Sequence, residues 1–107
     1  MNSVVLIGRL GKDPFIHNGE TKVAKYTLAV DRSGEGTDWI NCVAFGQGAD
    51  FAEKYLRKGM KIAINGRIQT GSYTKDDGTK VYTTEVAVSR HEFVEKKQEE
   101  DPEDLFA

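Results

Sequence analysis

Aromatic and cationic side chains share one side of two segments that alternate in the manner of β-strands. The segment DWINCVAF puts Trp39 and Phe45 on one face, and the later segment KIAINGRIQTGSYT puts Arg67 and Tyr73 on one face. Exposed rings can stack on flat unsaturated groups, and cations can hold anions such as phosphates. The same rings could instead fill the interior of the fold, and the pattern alone leaves both interpretations open.

Further cations are spread along the chain and are candidates for contacts to phosphate. They are Arg9, Lys12, Lys25, Arg32, Arg57, Lys58, Arg67, Lys75 and Lys80, of which we single out Arg9, Lys12, Lys58, Arg67 and Lys75. A single cation on a strand is often only a solvated side chain. Combined with rings on a sheet, these cations predict a surface that binds unpaired nucleotides with little sequence readout.

Residues suited to catalysis or metal binding are few. The only histidines, His17 and His91, lie in no nucleophile, metal or phosphate-loop motif. The single cysteine, Cys42, alternates towards the strand interior and fits a small core residue better than a reactive thiol. An Asp-Asp-Gly triplet at residues 76–78 is typical of a turn. We therefore predict a protein that is not an enzyme and has no cofactor or metal site.

Strand-like segments dominate the elements that must position these side chains. We predict strands over residues 3–10, 23–31, 38–45, 61–74 and 81–89, a short extended piece at residues 15–16, and one helix between residues 48 and 59. Gly59 is predicted to end the helix, and Ile62, Ile64 and Ile68 to face the core. Five or so antiparallel strands with one helix predict an all-β fold, the five-stranded Greek-key barrel called the OB-fold.

The net charge of −2 is unevenly distributed along the 107 residues. Residues 98–107 hold five acidic and no basic side chains, which leaves residues 1–97 with 15 basic and 12 acidic ones and a charge of +3. An acidic end of this kind buries too little apolar surface to order itself. We predict an OB-fold domain over residues 1–90, followed by a short connector and a disordered acidic tail over residues 91–107.

Length and hydropathy bound the remaining classes of protein. No apolar run approaches the ~18 residues that a membrane span needs. The first ten residues lack the basic start and apolar stretch of a secretory signal, and one cysteine cannot form an internal disulfide. We expect a single small cytoplasmic domain, associated with the nucleoid, that has no membrane partner.

Five segments, matched in order across the domain, resemble the bacterial and phage family of single-stranded DNA-binding proteins. They are residues 2–14 (NSVVLIGRLGKDP), 23–30 (VAKYTLAV), 37–46 (TDWINCVAFG), 52–59 (AEKYLRKG) and 64–88 (INGRIQTGSYTKDDGTKVYTTEVAV). The resemblance implies an OB-fold without catalysis and a homotetramer that binds single-stranded DNA. It also implies roles in DNA replication, recombination and repair.

Individual positions gain roles from the resemblance. Trp39, Phe45 and Tyr73 match positions where the family stacks bases, and Phe45 matches one that also cross-links to DNA. Lys58 matches a basic DNA-contacting position, whereas a further family aromatic falls near Gly34 in this chain.

The acidic end is similar to the peptide through which the family recruits replication, recombination and repair proteins. The corresponding residues here are Asp101, Glu103, Asp104, Leu105 and Phe106. The alternative is an OB-fold adaptor similar to primosomal replication proteins, in which contacts to other proteins matter more than DNA.

Overall fold

The computed structural model describes residues 1–94, which form six strands and one helix. The elements are β1 (Val4–Leu10), β2 (Phe15–Asn18), β3 (Lys22–Asp31), β4 (Thr37–Phe45), α1 (Gln47–Tyr55), β5 (Lys61–Thr74) and β6 (Lys80–Phe93). Each strand expected from the alternating pattern is present, and the extended piece at residues 15–16 is a four-residue strand. The acidic tail lies outside the described residues.

The strands form one sheet that closes on itself. Their order is β1-β5-β6-β4-β3-β2, and an additional pairing of β1 with β3 closes a five-stranded barrel. All pairings are antiparallel except that of β4 with β6. One edge of β3 is shared, because residues 22–25 pair with β2 and residues 28–29 pair with β1. The predicted OB-fold is confirmed, with β2 as a short extension beside the closure.

The core fills the barrel and its helix-covered end. Alternate residues of β3 and β5 point inwards, so that Leu28, Ile62 and Ile64 are almost completely buried. The helix contributes Ala49 and Ala52 to the same cluster. Burial of this apolar surface is the main stabilising contribution that we identify for the barrel.

Two sequence predictions about this region are wrong. The helix ends at Tyr55, and its C-terminal cap is the buried Leu56 in an extended conformation. Gly59 instead occupies the following turn with a φ of +86°. Ile68 is 48 % exposed and not in the core, because β5 and β6 continue beyond the barrel as a two-stranded arm that nothing covers among the described residues. Alternation identifies the face of a residue, but not where the core ends along a long strand.

Titration of His91 is predicted to make the stability of the barrel depend on pH. The Tyr26 hydroxyl lies 2.7 Å from Nε2 of His91 and donates to it when the neutral ring carries its proton on Nδ1, while Phe51 stacks on the ring. Burial lowers the pKa of His91 below its usual 6.5, whereas the unfolded chain titrates near that value. The unfolded state therefore takes up a proton first as the pH falls.

The contribution of neutral His91 to the free energy of unfolding is therefore expected to be complete above pH 6.5. It should be lost as the pH falls from 6.5 through the lower pKa of the folded state. Urea unfolding at several pH values between 7.5 and 5 measures this decline. His91→Gln keeps a hydrogen-bond acceptor near Tyr26 but does not titrate, so the decline should be smaller in the variant. An equal decline in both proteins would contradict the assignment to His91.

Candidate nucleic-acid interface

A continuous surface crosses β3, β4, β6 and β5 on the side opposite the barrel interior, and we call it the outer face. Register places Lys25, Val43, Ala87 and Arg67 in one row across these strands. The two central residues of the row are buried although they lie outside the core cluster. The two cations at its ends are exposed. The outer face therefore has an apolar centre with a positive charge on either side.

The Trp39 ring lies across the outer face at one end. Trp39 is directly opposite Ala29 of β3. A methyl group on Gly11 would lie 3.0 Å from Cζ3 of Trp39, so the ring reaches past β3 to the loop that follows β1. The Gly11 amide donates to the carbonyl of Thr27, which holds this loop against β3. The ring remains 63 % exposed and is available to a planar ligand.

Phe45 occupies the other end of the same strand. It is 47 % exposed and is directly opposite Val23 of the neighbouring strand β3. Six residues separate it from Trp39, which corresponds to about 20 Å along an extended strand. The two rings can therefore contact different bases of one bound strand, but not the same base.

Arg67 lies on the outer face with a short chain of polar contacts. Its Nη2 donates to Oε1 of Gln69 at 3.4 Å, and Nε2 of Gln69 donates to Oε1 of Glu85 at 3.2 Å. Gln69 orients the guanidinium beside the buried centre. The Glu85 carboxylate two steps away lowers the positive potential locally, so Arg67 is the end of this chain that suits an anion.

Tyr73 and Lys75 are carried away from the other predicted residues. Tyr73 is exposed on the arm formed by β5 and β6, opposite Val81 and about 20 Å along the strand from Arg67. Lys75 lies at the tip, where its amide donates to the carbonyl of Thr79. The structure thus extends the outer face along an arm instead of gathering all sites in one patch.

The remaining predicted cations cluster near the Trp39 end. The Lys58 amide donates to Oδ1 of Asp13 at 2.8 Å, which brings the Lys58 turn against the loop that contains Lys12. Nη1 of Arg9 donates to the carbonyl of Gly59 at 3.0 Å in the same turn. Arg9 is directly opposite Ala29, which is directly opposite Trp39, so these three residues form one row across β1, β3 and β4. The segments that carry Lys12 and Lys58 therefore meet at the Trp39 end of the outer face.

One exposed ring on this side was missed at the level of sequence. Phe15 of β2 is directly opposite Lys25, so it continues the outer-face row beyond β3. The signal was present in the sequence, because Phe15 and His17 alternate with an inward-facing Ile16. The sequence predicts only a short extended piece at residues 15–16, which does not indicate on which side Phe15 lies.

Residues 1–94 contain few groups suited to nucleophilic catalysis or to metal binding. Burial raises the pKa of the Cys42 thiol to about 12, so it is protonated and unreactive at neutral pH. The described residues contain no group of three His, Cys, Asp or Glu side chains able to hold a metal ion. Within the same residues, no helix is long and apolar enough to cross a membrane.

An aromatic and cationic face on a five-stranded barrel is typical of OB-folds that bind oligonucleotides. Comparison with known families agrees, since residues 1–94 match the model of the single-strand binding protein family. The chain belongs to this family.

Several bacterial proteins named single-stranded DNA-binding protein are similar to the chain. That of Clostridium perfringens is 46 % identical over 100 residues, which cover 89 % of this chain and 67 % of the relative. That of Clostridium tetani is 47 % identical over 103 residues, covering 89 % and 71 % respectively. Single-stranded DNA-binding protein 3 of Clostridium acetobutylicum is 46 % identical over 103 residues, covering 89 % and 72 %.

Proposed function

We propose that this protein binds single-stranded DNA on the outer face, with little sequence preference and without catalysis. The observation that carries the proposal is the Trp39 ring, which lies open on a sheet face in register with Arg9, at the end where the segments carrying Lys12 and Lys58 meet. A ring held in this position presents its π-face to any base, which explains binding without sequence readout.

The proposed mechanism combines stacking with neutralisation of phosphates. Bases stack on Trp39 and Phe45, and Tyr73 on the arm provides a more distant platform. Each stacked base contributes about 1–3 kcal/mol to binding. Arg67 and Lys75, together with the cluster near Trp39, hold phosphates and release counterions, so affinity falls as the salt concentration rises.

We propose the acidic end as a partner-binding segment separate from the DNA-binding domain, which is predicted over residues 1–90 and whose last strand continues to Phe93. Residues 98–107 combine five carboxylates with Leu105 and Phe106, a composition that suits a basic pocket with an apolar floor. Replication, recombination and repair proteins are the expected partners. Removing residues 98–107 should abolish their recruitment while single-stranded DNA still binds; if recruitment persists, the tail is not the partner site.

We also propose that copies of the chain associate, as a tetramer, through the outward side of β1. Val5 and Ile7 are exposed there, next to a groove of about 380 Å³ lined by residues of β1, β5 and β6. Two neighbouring exposed aliphatic side chains on one strand favour a contact between proteins. Sedimentation of the full chain, compared with Val5→Asp/Ile7→Asp, tests this: dissociation of the variant supports it, and a parent that is monomeric contradicts it.

Fluorescence anisotropy of labelled oligonucleotides tests DNA binding itself. The protein should bind a dT oligonucleotide much more tightly than a duplex of equal length, because paired bases do not offer their faces to the rings. Affinity for dT should also fall with salt. Equal affinity for both ligands would assign the surface to general polyanion binding. Negligible affinity for either would favour the adaptor, whose activity depends on the tail alone.

A further inference from the structure

Strand β2 carries an exposed aromatic ring that is not part of the barrel core. Phe15 is 68 % exposed, more than either Trp39 or Phe45. Its neighbour Ile16 packs against the core, so β2 is anchored through the face opposite the Phe15 ring. A phenyl ring left in solvent beside an inward-facing isoleucine is available for a ligand.

Register places this ring on the same side of the sheet as the proposed DNA-binding rings. Phe15 pairs with Lys25 of β3, which pairs in turn with Val43 of β4. Paired residues of antiparallel strands point to the same face, and Val43 shares its face with Phe45. Phe15 therefore belongs to the outer face. It lies two strands away from β4, opposite Val43, and Phe45 is two residues further along β4, which gives a Cα separation of about 12 Å between the two rings' residues.

The charges around Phe15 favour a nucleotide. Lys25 is exposed and directly opposite the ring, so a phosphate can be held beside a stacked base. The nearest carboxylate along the chain, Asp13, already accepts a hydrogen bond from the Lys58 amide. The loop between Gly11 and Phe15 connects this region directly to the Trp39 ring.

We propose that Phe15 and Lys25 form a further nucleotide subsite, at which one base of bound single-stranded DNA stacks on the Phe15 ring and its phosphate contacts Lys25. The proposal rests on the proposed function of the outer face and deepens it. The bound strand then crosses β3 from the β4 rings to β2, and does not only follow β4.

Affinity measurements on the full chain test the subsite. Phe15→Ala is expected to weaken binding of a dT oligonucleotide by about 5- to 150-fold, the equivalent of one lost stacking contact. Phe15→Trp should bind at least as tightly as the parent, whereas Phe15→Leu should be weakened because it keeps apolar bulk without a π-face. Tyr55→Ala removes a half-exposed ring at the end of α1, which is not one of the strands of the outer face and where the ring packs on Phe51. This matched control should bind normally once its fold has been verified by urea unfolding.

A relocated tryptophan separates failure of the subsite from failure of the proposed function. In a Trp39→Phe/Phe15→Trp protein the only indole lies on β2, and dT should quench it, whereas the indole of Trp39→Phe/Tyr55→Trp should not respond. Absence of dT binding by the parent would overturn the proposed function. A parent that binds, with a Phe15→Ala variant of equal affinity and an unquenched indole on β2, would overturn only the subsite. A change in the sedimentation of Phe15→Ala would assign the ring to contacts between copies and likewise overturn it.

Discussion

Replacing Trp39 and Phe45 together by Ala is expected to weaken binding of single-stranded DNA by about 2–6 kcal/mol, which is at least about 30-fold in affinity. The two rings are about 20 Å apart on β4 and contact different bases in the proposed complex, so their contributions should add. Titration of a labelled dT oligonucleotide at low salt measures the loss. Each single variant should show about half of it in free-energy terms.

Folding controls decide whether this loss belongs to binding. Both rings are exposed in the free protein, so the double variant should remain folded with a similar midpoint of urea unfolding. Trp39→Phe/Phe45→Tyr keeps two rings and should bind nearly as well as the parent. A folded double Ala variant with undiminished affinity would contradict the assignment of these rings to the binding surface.

Gly66→Ala is expected to cause the largest loss of stability, at least about 3 kcal/mol of unfolding free energy. A Cβ on Gly66 would lie 2.2 Å from the carbonyl oxygen of Ala87, a backbone atom that cannot rotate away. The pairing of β5 with β6 is irregular at this point, between Asn65 and Gly66, and the same strands carry the row that includes Arg67. Urea or thermal unfolding measures the loss.

Gly71→Ala is the matched control for this substitution. It lies on the same strand, but its Cβ would meet only the side-chain hydroxyl of Thr83 at 3.2 Å, which can rotate. The free energy of unfolding should therefore change by less than about 1 kcal/mol. Similar losses at Gly66 and Gly71 would mean that the close backbone approach at Gly66 is not a constraint on the barrel.

The barrel could be predicted from the sequence because local alternation specifies most of it. Inward positions such as Leu28 and Cys42 follow directly from the period of two. The exposure of Ile68 could not be predicted in the same way, since it depends on where neighbouring strands end. The parallel pairing of β4 with β6 and the burial of Val43 on the outer face are equally non-local, because both depend on strands distant in sequence.

The sequence likewise predicts those features of the candidate site that lie on one strand, but not those that join distant segments. The shared face of Trp39 and Phe45 follows from their even spacing on one strand. The contact between Trp39 and Gly11 joins segments far apart in the chain, and only the closure of the barrel brings them together. The outward position of Phe15 is only weakly indicated by the sequence, because β2 is so short that its alternation covers four residues.

Fluorescence of Trp39 tests the central claim most directly, because it is the only tryptophan and lies on the proposed binding surface. Titration of the full chain with poly-dT at low salt should strongly quench this emission, and added salt should restore it as the phosphate contacts are lost. Emission that stays unchanged while the DNA binds would place the bound strand away from the outer face and contradict the proposed interface.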